Sequence, residues 1–291
     1  MLTKLSSWFY NTQIPGDHLK VACVTISIDQ DPEKNMGKII NHVDALMQAH
    51  PDTELILFGE MLLGWFDPEK SPEYHQAIAR PLSKDFLQPL TDRCQHYEIY
   101  TCFGMPELDG EERYNTQVLI NPDGKLQAVH RKWNLKSAER MAGYQSGSAP
   151  VTLTNIKNLR TGILICSDAA HPKTMWQLVK SRLDLIILSL ADDSDEDFFM
   201  AKFNAHMYDA WVATANRYGD EDGHYWNGHT VISDPTGSLR AASKDKAGYL
   251  LFDINLDRDQ NLLKFLLRNA FTKTYLLIHL LGNLKRIKDY I

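Results

Sequence analysis

The stretch that decides the fold of this chain is Thr161-Gly162-Ile163-Leu164-Ile165-Cys166-Ser167-Asp168. Its short apolar run, β-branched at two positions, is typical of a buried strand, and the run stops at a cysteine. The main chain leaves the sheet at such a strand end, so the sulfur can face a cleft. The pattern therefore predicts that Cys166 is a nucleophile at the edge of a sheet.

Two further apolar runs stop at an ionisable residue in the same way. The run Leu55-Ile56-Leu57-Phe58-Gly59 stops at Glu60. A predicted strand-turn-strand segment from Tyr114 to His130 stops at Arg131-Lys132. The sequence thus predicts a carboxylate, an ammonium group and a thiol, each following a buried strand.

These three groups suit a cysteine-dependent hydrolysis that needs no histidine. The thiolate is the attacking species, so Glu60 would take the thiol proton and later deliver it to a leaving amine. Lys132 and the backbone N–H of Ser167 would stabilise the oxyanion of a tetrahedral intermediate. Such a site can attack an amide, ureido or nitrile carbon. The alternative is an inert core cysteine, with Glu60 and Lys132 as a cap and a solvated surface residue.

The contexts of the three residues resemble the nitrilase superfamily of carbon–nitrogen hydrolases, and the resemblance covers residues 19–257. The segments that are similar to its motifs are Leu57-Phe58-Gly59-Glu60, Arg131-Lys132-Trp133-Asn134-Leu135, Ile165-Cys166-Ser167-Asp168, Ala215-Asn216-Arg217-Tyr218-Gly219 and Asp234-Pro235-Thr236-Gly237. The chain departs from the family at Gly59, where proline is usual, and at Asn134, where histidine is usual. The ordered set is more specific than any single motif.

The resemblance implies a Glu60-Lys132-Cys166 triad and adds Glu139 as a second glutamate that orients the lysine or assists proton transfer. An acid beside a buried ammonium group is reasonable because an unpaired buried charge is unfavourable. The alternative is an exposed Glu139-Arg140 pair on a loop. The candidate residues for binding substrate or oxyanion are Ser167, Trp133, Tyr144 and His171. Core packing of the aromatic rings and a surface position for the histidine are the alternatives.

Strand and helix signals alternate along most of the chain. Apolar runs predict strands over 20–28, 54–58, 99–104, 117–120, 126–130, 162–166, 184–190, 211–216, 229–233 and 249–253. Amphipathic segments predict helices from Asp31-Pro32 onward and over 83–96, 172–180 and 197–207. This order predicts a layered α/β fold. The resemblance implies a nitrilase-like α-β-β-α sandwich, a single domain over residues 18–258, and a homodimer or larger assembly through apolar helix faces.

A basic, leucine-rich segment, residues 259–291, follows the predicted domain. Its longest uncharged run, Thr274 to Leu284, is shorter than the roughly 20 residues that cross a bilayer. We expect a helical extension that serves self-association, with contact to a membrane surface as the less favoured alternative.

The composition of the chain bears on its partners, on the state of its cysteines and on its location. The formal net charge of −6 gives no electrostatic case for nucleic acid. The four cysteines lack paired metal spacing and favour reduced thiols. Residues 1–17 contain no continuous apolar run typical of a signal peptide. We expect a cytoplasmic protein that acts on a small molecule and needs no cofactor or metal.

The segment after Asp168 bears on the substrate. Carbamoyl-amino-acid hydrolases of the superfamily often carry an arginine here that binds a substrate carboxylate, whereas this chain has Ala169-Ala170-His171. The sequence thus predicts a neutral or cationic small amide as substrate. A nitrilase or a carbamoyl-amide hydrolase on the same scaffold is the first alternative. A non-catalytic binding or scaffold protein is the second, since a fold does not guarantee a function.

Overall fold

The computed structural model describes residues 18–65 and 70–256, together with Ala270 and Thr274 and without the side chain of Asp197. Residues Leu19–Ile254 form one compact unit. The second unit, Met1–His18 with Asn255–Ile291, lies almost wholly outside the described residues. The expected extension, residues 259–291, lies outside them as well, apart from Ala270 and Thr274, which are both helical. No helix of the described ranges is long and apolar enough to cross a membrane.

One six-stranded sheet is built mainly from the first half of the chain. Its order is β14-β1-β2-β3-β4-β5. The strands are β1 His18–Thr25, β2 Leu55–Phe58, β3 Tyr100–Asp109, β4 Glu112–Ile120, β5 Leu126–Arg131 and β14 Gly248–Asn255. Strands β1, β2 and β3 are parallel, while β4 is antiparallel to both β3 and β5. Strands β2 and β5 consequently point in the same direction and end at the same edge of the sheet.

The second six-stranded sheet comes from the later half and has the order β13-β12-β9-β8-β7-β6. Its strands are β6 Thr152–Ile156, β7 Leu159–Ile165, β8 Leu185–Ser189, β9 Trp211–Ala215, β12 Thr230–Ser233 and β13 Leu239–Ser243. Strands β7, β8 and β9 are parallel. A separate hairpin consists of β10 Tyr218–Glu221 and β11 His224–Asn227.

The two sheets face each other through buried polar contacts as well as apolar packing. Ser189 Oγ donates a hydrogen bond to the backbone oxygen of Phe58 at 3.2 Å. The hydroxyl groups of Thr25 and Thr230 lie 2.9 Å apart. Buried polar groups are tolerated when they are hydrogen-bonded, so these bonds fix how the two sheets lie against each other.

The outer faces of the two sheets are covered by the four longer of the six helices that the described residues form. The six helices are α1 Pro32–Ala49, α2 Pro72–Ile78, α3 Lys84–Tyr97, α4 Ser137–Met141, α5 Pro172–Ser181 and α6 Glu196–Tyr208, and a 3-10 turn spans Cys166–Ala170. One apolar cluster joins α1 and α3 to the first sheet, for example Ile39 and Leu90 with Phe103. A second joins α5 and α6 to the second sheet, for example Leu178 and Ala205 with Leu188. The expected α-β-β-α layering is confirmed.

Helix α1 shows how local sequence sets these elements. Asp31 precedes it, and its side chain accepts hydrogen bonds from the backbone N–H groups of Glu33 and Lys34, while Pro32 occupies the first helical position. Aspartate caps free N–H groups at a helix start, and proline fits there because its missing donor is not needed. The sequence predicts that Ile39, Ile40, Val43, Leu46 and Met47 share one apolar face. Ile39, Val43, Leu46 and Met47 are buried, whereas Ile40 is partly buried against the same cluster.

Some short elements do not appear in the sequence-based prediction: α2, α4, β6, β13 and the hairpin. These segments are short or have few apolar residues, so their periodicity is too weak to detect. Helix α4 bears directly on the site because it carries Glu139, which is buried and not on an exposed loop.

Candidate active site

The three ionisable residues predicted at strand ends are brought to one place. Glu60 follows β2, Lys132 follows β5, and Cys166 follows β7. Lys132 Nζ lies 2.8 Å from Glu60 Oε1. The charge of Lys132 also acts on the Cys166 thiol, so the ammonium group links the carboxylate to the sulfur. Residues that are far apart in sequence thus form one cluster.

The backbone at Glu60 is held by a close approach to Gly104 on β3. The Gly104 N–H donates to Gly59 O at 3.0 Å, and the Leu62 N–H donates to Gly104 O at 2.8 Å. A Cβ at position 104 would lie 2.5 Å from Gly59 O and 2.8 Å from Glu60 Cα. Only glycine therefore permits this approach.

Both carboxylate oxygens of Glu60 are occupied. Oε1 accepts hydrogen bonds from Lys132 Nζ and from Asn115 Nδ2 at 2.6 Å, and Oε2 accepts one from the Ala191 backbone N–H at 2.9 Å. Burial is the largest cause that raises the pKa of Glu60. The ammonium group of Lys132 lowers that pKa, and the carboxylate of Glu139 raises it further. A buried carboxylate with a raised pKa is suited to taking and returning a proton.

Lys132 lies between two carboxylates. Its Nζ is 2.8 Å from Glu60 Oε1 and 2.9 Å from Glu139 Oε2, and its side chain is 2% exposed. Burial is the largest single effect and lowers the pKa of Lys132, but the charges of Glu60, Cys166 and Glu139 together raise it well above its usual value. Lys132 therefore remains a fixed cation. The expected proximity of Glu139 to the lysine is what the structure has.

Asn115 connects the two glutamates and was not identified from the sequence. Its Nδ2 donates to Glu60 Oε1 at 2.6 Å and to Glu139 Oε1 at 2.7 Å. Its backbone oxygen accepts the N–H of Lys132 at 2.7 Å. Asn115 therefore orients all three charged groups. An asparagine within strand β4 carries no sequence signal that distinguishes it from other sheet residues.

Cys166 has a backbone conformation that sets it apart from the other cysteines. Its φ is +44°, a left-handed value that is uncommon outside glycine, asparagine and aspartate. It is partly exposed at the start of the 3-10 turn, whereas Cys23, Cys94 and Cys102 are completely buried. A partly exposed cysteine in a strained conformation beside a cluster of charges fits a functional site.

The Cys166 thiol is protonated in the resting site. Burial and the charge of Glu60 raise its pKa to about 12, against the lowering effect of Lys132 and Lys136. The thiol therefore needs a base at the moment of attack. Glu60, whose pKa is also raised, is a carboxylate whose charge acts on this thiol.

Asp168 joins the cysteine turn to the lysine strand. Its Oδ1 accepts the backbone N–H groups of Trp133 and Asn134 at 3.1 and 2.7 Å. Its Oδ2 accepts the backbone N–H of Ile165 at 3.2 Å and lies 2.9 Å from His130 Nε2. The family motif includes Asp168, but neither these contacts nor His130 could be found from sequence.

A second clamp joins the same two segments. Asn134 Nδ2 donates to Ser167 O at 2.8 Å, and Ser167 Oγ donates to Asn134 O at 2.6 Å. Asn134 is one of the departures from the usual family motif. The structure gives it a definite role, because it holds the residue that follows the nucleophile.

Three other residues are predicted to bind substrate: Trp133, His171 and Tyr144. The rings of Trp133 and His171 meet edge to face with centroids 4.5 Å apart. His171 Nδ1 accepts the Lys173 N–H at the start of α5, and burial followed by the charge of Lys173 lowers its pKa. Tyr144 is buried in a small apolar cluster with Met61. A role for any of these in substrate binding stays a prediction.

The Ala-Asn-Arg motif supports the loop that follows Glu60. Arg217 is fully buried and donates to the backbone oxygens of Met61 and Gly64, each at 2.9 Å. Its charge is paired with Glu221. A buried, paired arginine with several bonds is costly to remove, so this motif stabilises the turn beside the base and does not touch the reacting groups.

Metal binding finds no support in the part of the chain that the structure describes. No group of three or more His, Cys, Asp or Glu side chains there is arranged to hold a metal ion.

A sequence model of the carbon–nitrogen hydrolase family matches residues 20–262. The chain belongs to this family. The resemblance to the nitrilase superfamily and the expected enzyme class are thereby confirmed, and the protein is a carbon–nitrogen hydrolase.

Curated relatives of this carbon–nitrogen hydrolase include amidases and a probable nitrilase. An (R)-stereoselective amidase of a Pseudomonas species is 26% identical over 239 residues, which cover 80% of this chain and 82% of the relative. The ω-amidase Nit3 of Saccharomyces cerevisiae is 24% identical over 247 residues, covering 79% and 84%. A probable nitrilase of Schizosaccharomyces pombe is 25% identical over 245 residues, covering 81% and 89%.

Solved structures of the superfamily share the fold of this hydrolase. The crystal structure of S. cerevisiae Nit3, a member of branch 10 of the nitrilase superfamily, has a TM-score of 0.75 at 21% identity and covers 84% of this chain and 93% of that one. An amidase of Nesterenkonia sp. AN1, with acrylamide added at its active site cysteine, has a TM-score of 0.69 at 20% identity and covers 85% and 98%.

Proposed function

We propose that this carbon–nitrogen hydrolase cleaves a small amide, with Cys166 as nucleophile and a thioester as intermediate. The observation that carries the proposal is the position of the Lys132 ammonium group, 2.8 Å from Glu60 and 2.9 Å from Glu139, in a cluster whose charges act on the Cys166 thiol. A base, a fixed cation and a partly exposed thiol are the groups that acyl transfer from an amide requires.

The first half of the reaction releases the amine. Glu60 takes the thiol proton while the sulfur forms a bond to the amide carbon, and the carbonyl electrons move to the oxygen. Lys132 and the backbone N–H of Ser167 stabilise that oxyanion. When the intermediate collapses, the C–N bond breaks and Glu60 returns the proton to the leaving amine. Glu139 and Asn115 hold the lysine and the base in position.

The second half restores the enzyme. Glu60 takes a proton from water while the water oxygen attacks the thioester carbon. Collapse of this second tetrahedral intermediate breaks the C–S bond, and the sulfur regains its proton from Glu60. The products are a carboxylic acid and the resting thiol.

Amide substrates are favoured over nitriles and carbamoyl compounds because two of the relatives reported above are named amidases. Ser167 also follows the cysteine here, whereas tryptophan is usual at that place in nitrilases. Hydrolysis of a nitrile or a carbamoyl amide on the same scaffold is the alternative.

A substrate panel tests the proposal. Purified protein is offered small amides, nitriles and N-carbamoyl compounds, and ammonia release is measured. We expect the highest turnover on an amide and no turnover by Cys166→Ala. The control is Cys94→Ala, because Cys94 is fully buried and its thiol donates a hydrogen bond to Thr101 Oγ1. Undiminished turnover by Cys166→Ala would show that the mechanism is wrong.

A non-catalytic scaffold is the rival reading, and the reactivity of the thiol separates the two. Limiting iodoacetamide followed by intact-mass analysis should give one adduct, on Cys166, because the other three cysteines are buried. Glu60→Gln should slow this alkylation, since the base is lost. Equal alkylation rates for both proteins would favour the scaffold.

The assembly and location of the protein are also part of this proposal. Phe199 on α6 is 65% exposed and Trp176 on α5 is 42% exposed. Large apolar side chains on neighbouring helices are typical of an interface between subunits, which supports a homodimer or larger assembly. Four free cysteines agree with a reducing compartment such as the cytoplasm. We keep residues 18–258 as the hydrolase domain and residues 259–291 as an extension.

A further inference from the structure

Lys136, like Lys132, is a cation whose charge acts on the Cys166 thiol. The charges of Lys132 and Lys136 both lower the pKa of that thiol. Lys132 is 2% exposed and its Nζ contacts two carboxylates. It is therefore fully engaged by Glu60 and Glu139. Lys136, by contrast, is exposed.

The backbone of Lys136 is fixed to the site. Its N–H donates to Glu139 Oε2 at 2.8 Å, and the same oxygen is 2.9 Å from Lys132 Nζ. The position of Lys136 thus depends on the carboxylate that also holds the catalytic ammonium group. This anchor distinguishes Lys136 from a surface lysine on a freely placed loop.

The ammonium group of Lys136 carries a charge that bears on what it can bind. Within residues 18–65 and 70–256 it has no carboxylate within 4.0 Å. The Cys166 thiolate is the largest cause that raises the pKa of Lys136, followed by burial, which lowers it. Asp192 also raises it, although one of its oxygens already accepts two bonds from Ser194.

We propose that Lys136 is a specificity-determining residue that binds a carboxylate of the substrate, so that the preferred substrate is a small amide carrying a carboxylate at its other end. This inference rests on the proposed function. Lys136 has its backbone anchored to Glu139 and its charge acts on the Cys166 thiol, while its exposed side chain has no paired carboxylate among the described residues, so it is complementary to such a group. It replaces the arginine that is absent from the segment after Asp168.

A substrate with a carboxylate differs from the neutral or cationic substrate that the sequence predicts. That prediction depends on residues 169–171, where no lysine or arginine is present. Lys136 lies four residues after Lys132, immediately before α4, and its charge acts on the Cys166 thiol. If residues 169–171 contact the far end of the substrate, a neutral or cationic group is expected there. If Lys136 contacts it, a carboxylate is expected.

Binding to the Cys166→Ala protein tests the inference without turnover. Calorimetry compares malonamate, succinamate and glutaramate with neutral butyramide and cationic 4-aminobutyramide. At least one of the acids should bind about tenfold more tightly than butyramide, which corresponds to about 1.4 kcal/mol. Adding Lys136→Met should reduce this ratio to about one, and Lys136→Glu should favour 4-aminobutyramide. The control Lys125→Met, an exposed lysine in the turn between β4 and β5, should keep the original ratio.

Two results would overturn the inference. One is equal binding of the acids and butyramide by the Cys166→Ala protein. The other is an unchanged binding ratio in Lys136→Met together with a shift of Cys166 alkylation to higher pH in the variant that retains the cysteine, which would assign Lys136 to the thiol alone. Turnover is a separate readout. If the acids bind through Lys136 but no amide is hydrolysed, the proposed function fails while the binding role stands.

Discussion

Asp168 Oδ2 lies 2.9 Å from His130 Nε2, so the residue two positions after the nucleophile contacts the residue two positions before the lysine. Both side chains are almost completely buried. The other oxygen of Asp168 accepts the N–H groups that follow Lys132. Asp168 thus connects the segment that contains Cys166 to the segment that contains Lys132.

Removing this carboxylate should weaken both fold and activity. Asp168→Ala leaves several buried donors without an acceptor, and breaking a buried charged network costs about 3–5 kcal/mol. We expect a lower urea midpoint and a fall in kcat/KM of more than about tenfold, from loss of triad geometry. The control is Asp123→Ala, an exposed turn residue, which should leave both values unchanged. A urea midpoint equal to that of the wild type would rule out this role.

The pH dependence should report the protonation of Glu60. The base must be deprotonated to accept the thiol proton, and burial raises its pKa above the ordinary 4.5. Activity should therefore fall with decreasing pH through a limb that lies above pH 4.5 in the profile of kcat/KM. Glu60→Gln should lower kcat by about 10² to 10⁴ and remove the limb. Glu111→Gln, in an exposed turn, should retain it. A limb that persists in Glu60→Gln would assign it to another group.

Changes at Asn115 should move the same limb. The hydrogen bond from Asn115 lowers the pKa of Glu60, so Asn115→Leu should shift the acid limb to higher pH. Asn115→Asp should shift it further, because a third carboxylate beside Glu60 and Glu139 disfavours ionisation of the base. The wild type, Leu and Asp proteins should thus form an ordered series. Identical limbs in all three would mean that Asn115 does not orient the base.

Self-association should depend on α5 and α6. Phe199→Glu and Trp176→Glu each place a charge on an exposed apolar position of these helices, and an unpaired charge in an interface is unfavourable. We expect a lower molar mass by light scattering with the thermal unfolding temperature little changed. The matched control is Leu126→Glu, which is 42% exposed at the start of β5. An unchanged molar mass in both helix variants would mean that α5 and α6 do not form the interface. Truncation after Gln260 would then test whether residues 261–291 form it.

The layering, and the meeting of Glu60 with Lys132 near Cys166, could be predicted from sequence because each depends on a strong local signal. A buried strand that stops at one ionisable residue indicates where the chain leaves the sheet, as at Glu60 and Cys166. Parallel strands bring such ends to the same edge. The sequence pattern therefore indicated at which strand ends Glu60 and Cys166 lie. The distances between the groups depend on tertiary packing.

The supporting residues could not be predicted because their roles depend on contacts between distant segments. Asn115 and His130 lie within strands, where the alternating pattern indicates which face a side chain is on but not what it touches. Lys136 looks like an ordinary solvated lysine until Glu139, three residues later, is found to hold its backbone. This contact depends on the short helix α4, which carries Glu139. The helix is too short to give a periodic signal in the sequence.

Gly104 has no side chain, yet its contact with the backbone of Gly59 and Glu60 makes glycine necessary there if Glu60 is to keep its position. Saturation mutagenesis scored by turnover alone would rank position 104 beside the reacting residues. A loss of turnover on substitution of Gly104 would thus not mean that Gly104 takes part in the reaction. A parallel measurement of folded protein would separate the two kinds of loss, since an added methyl group here displaces the catalytic backbone itself.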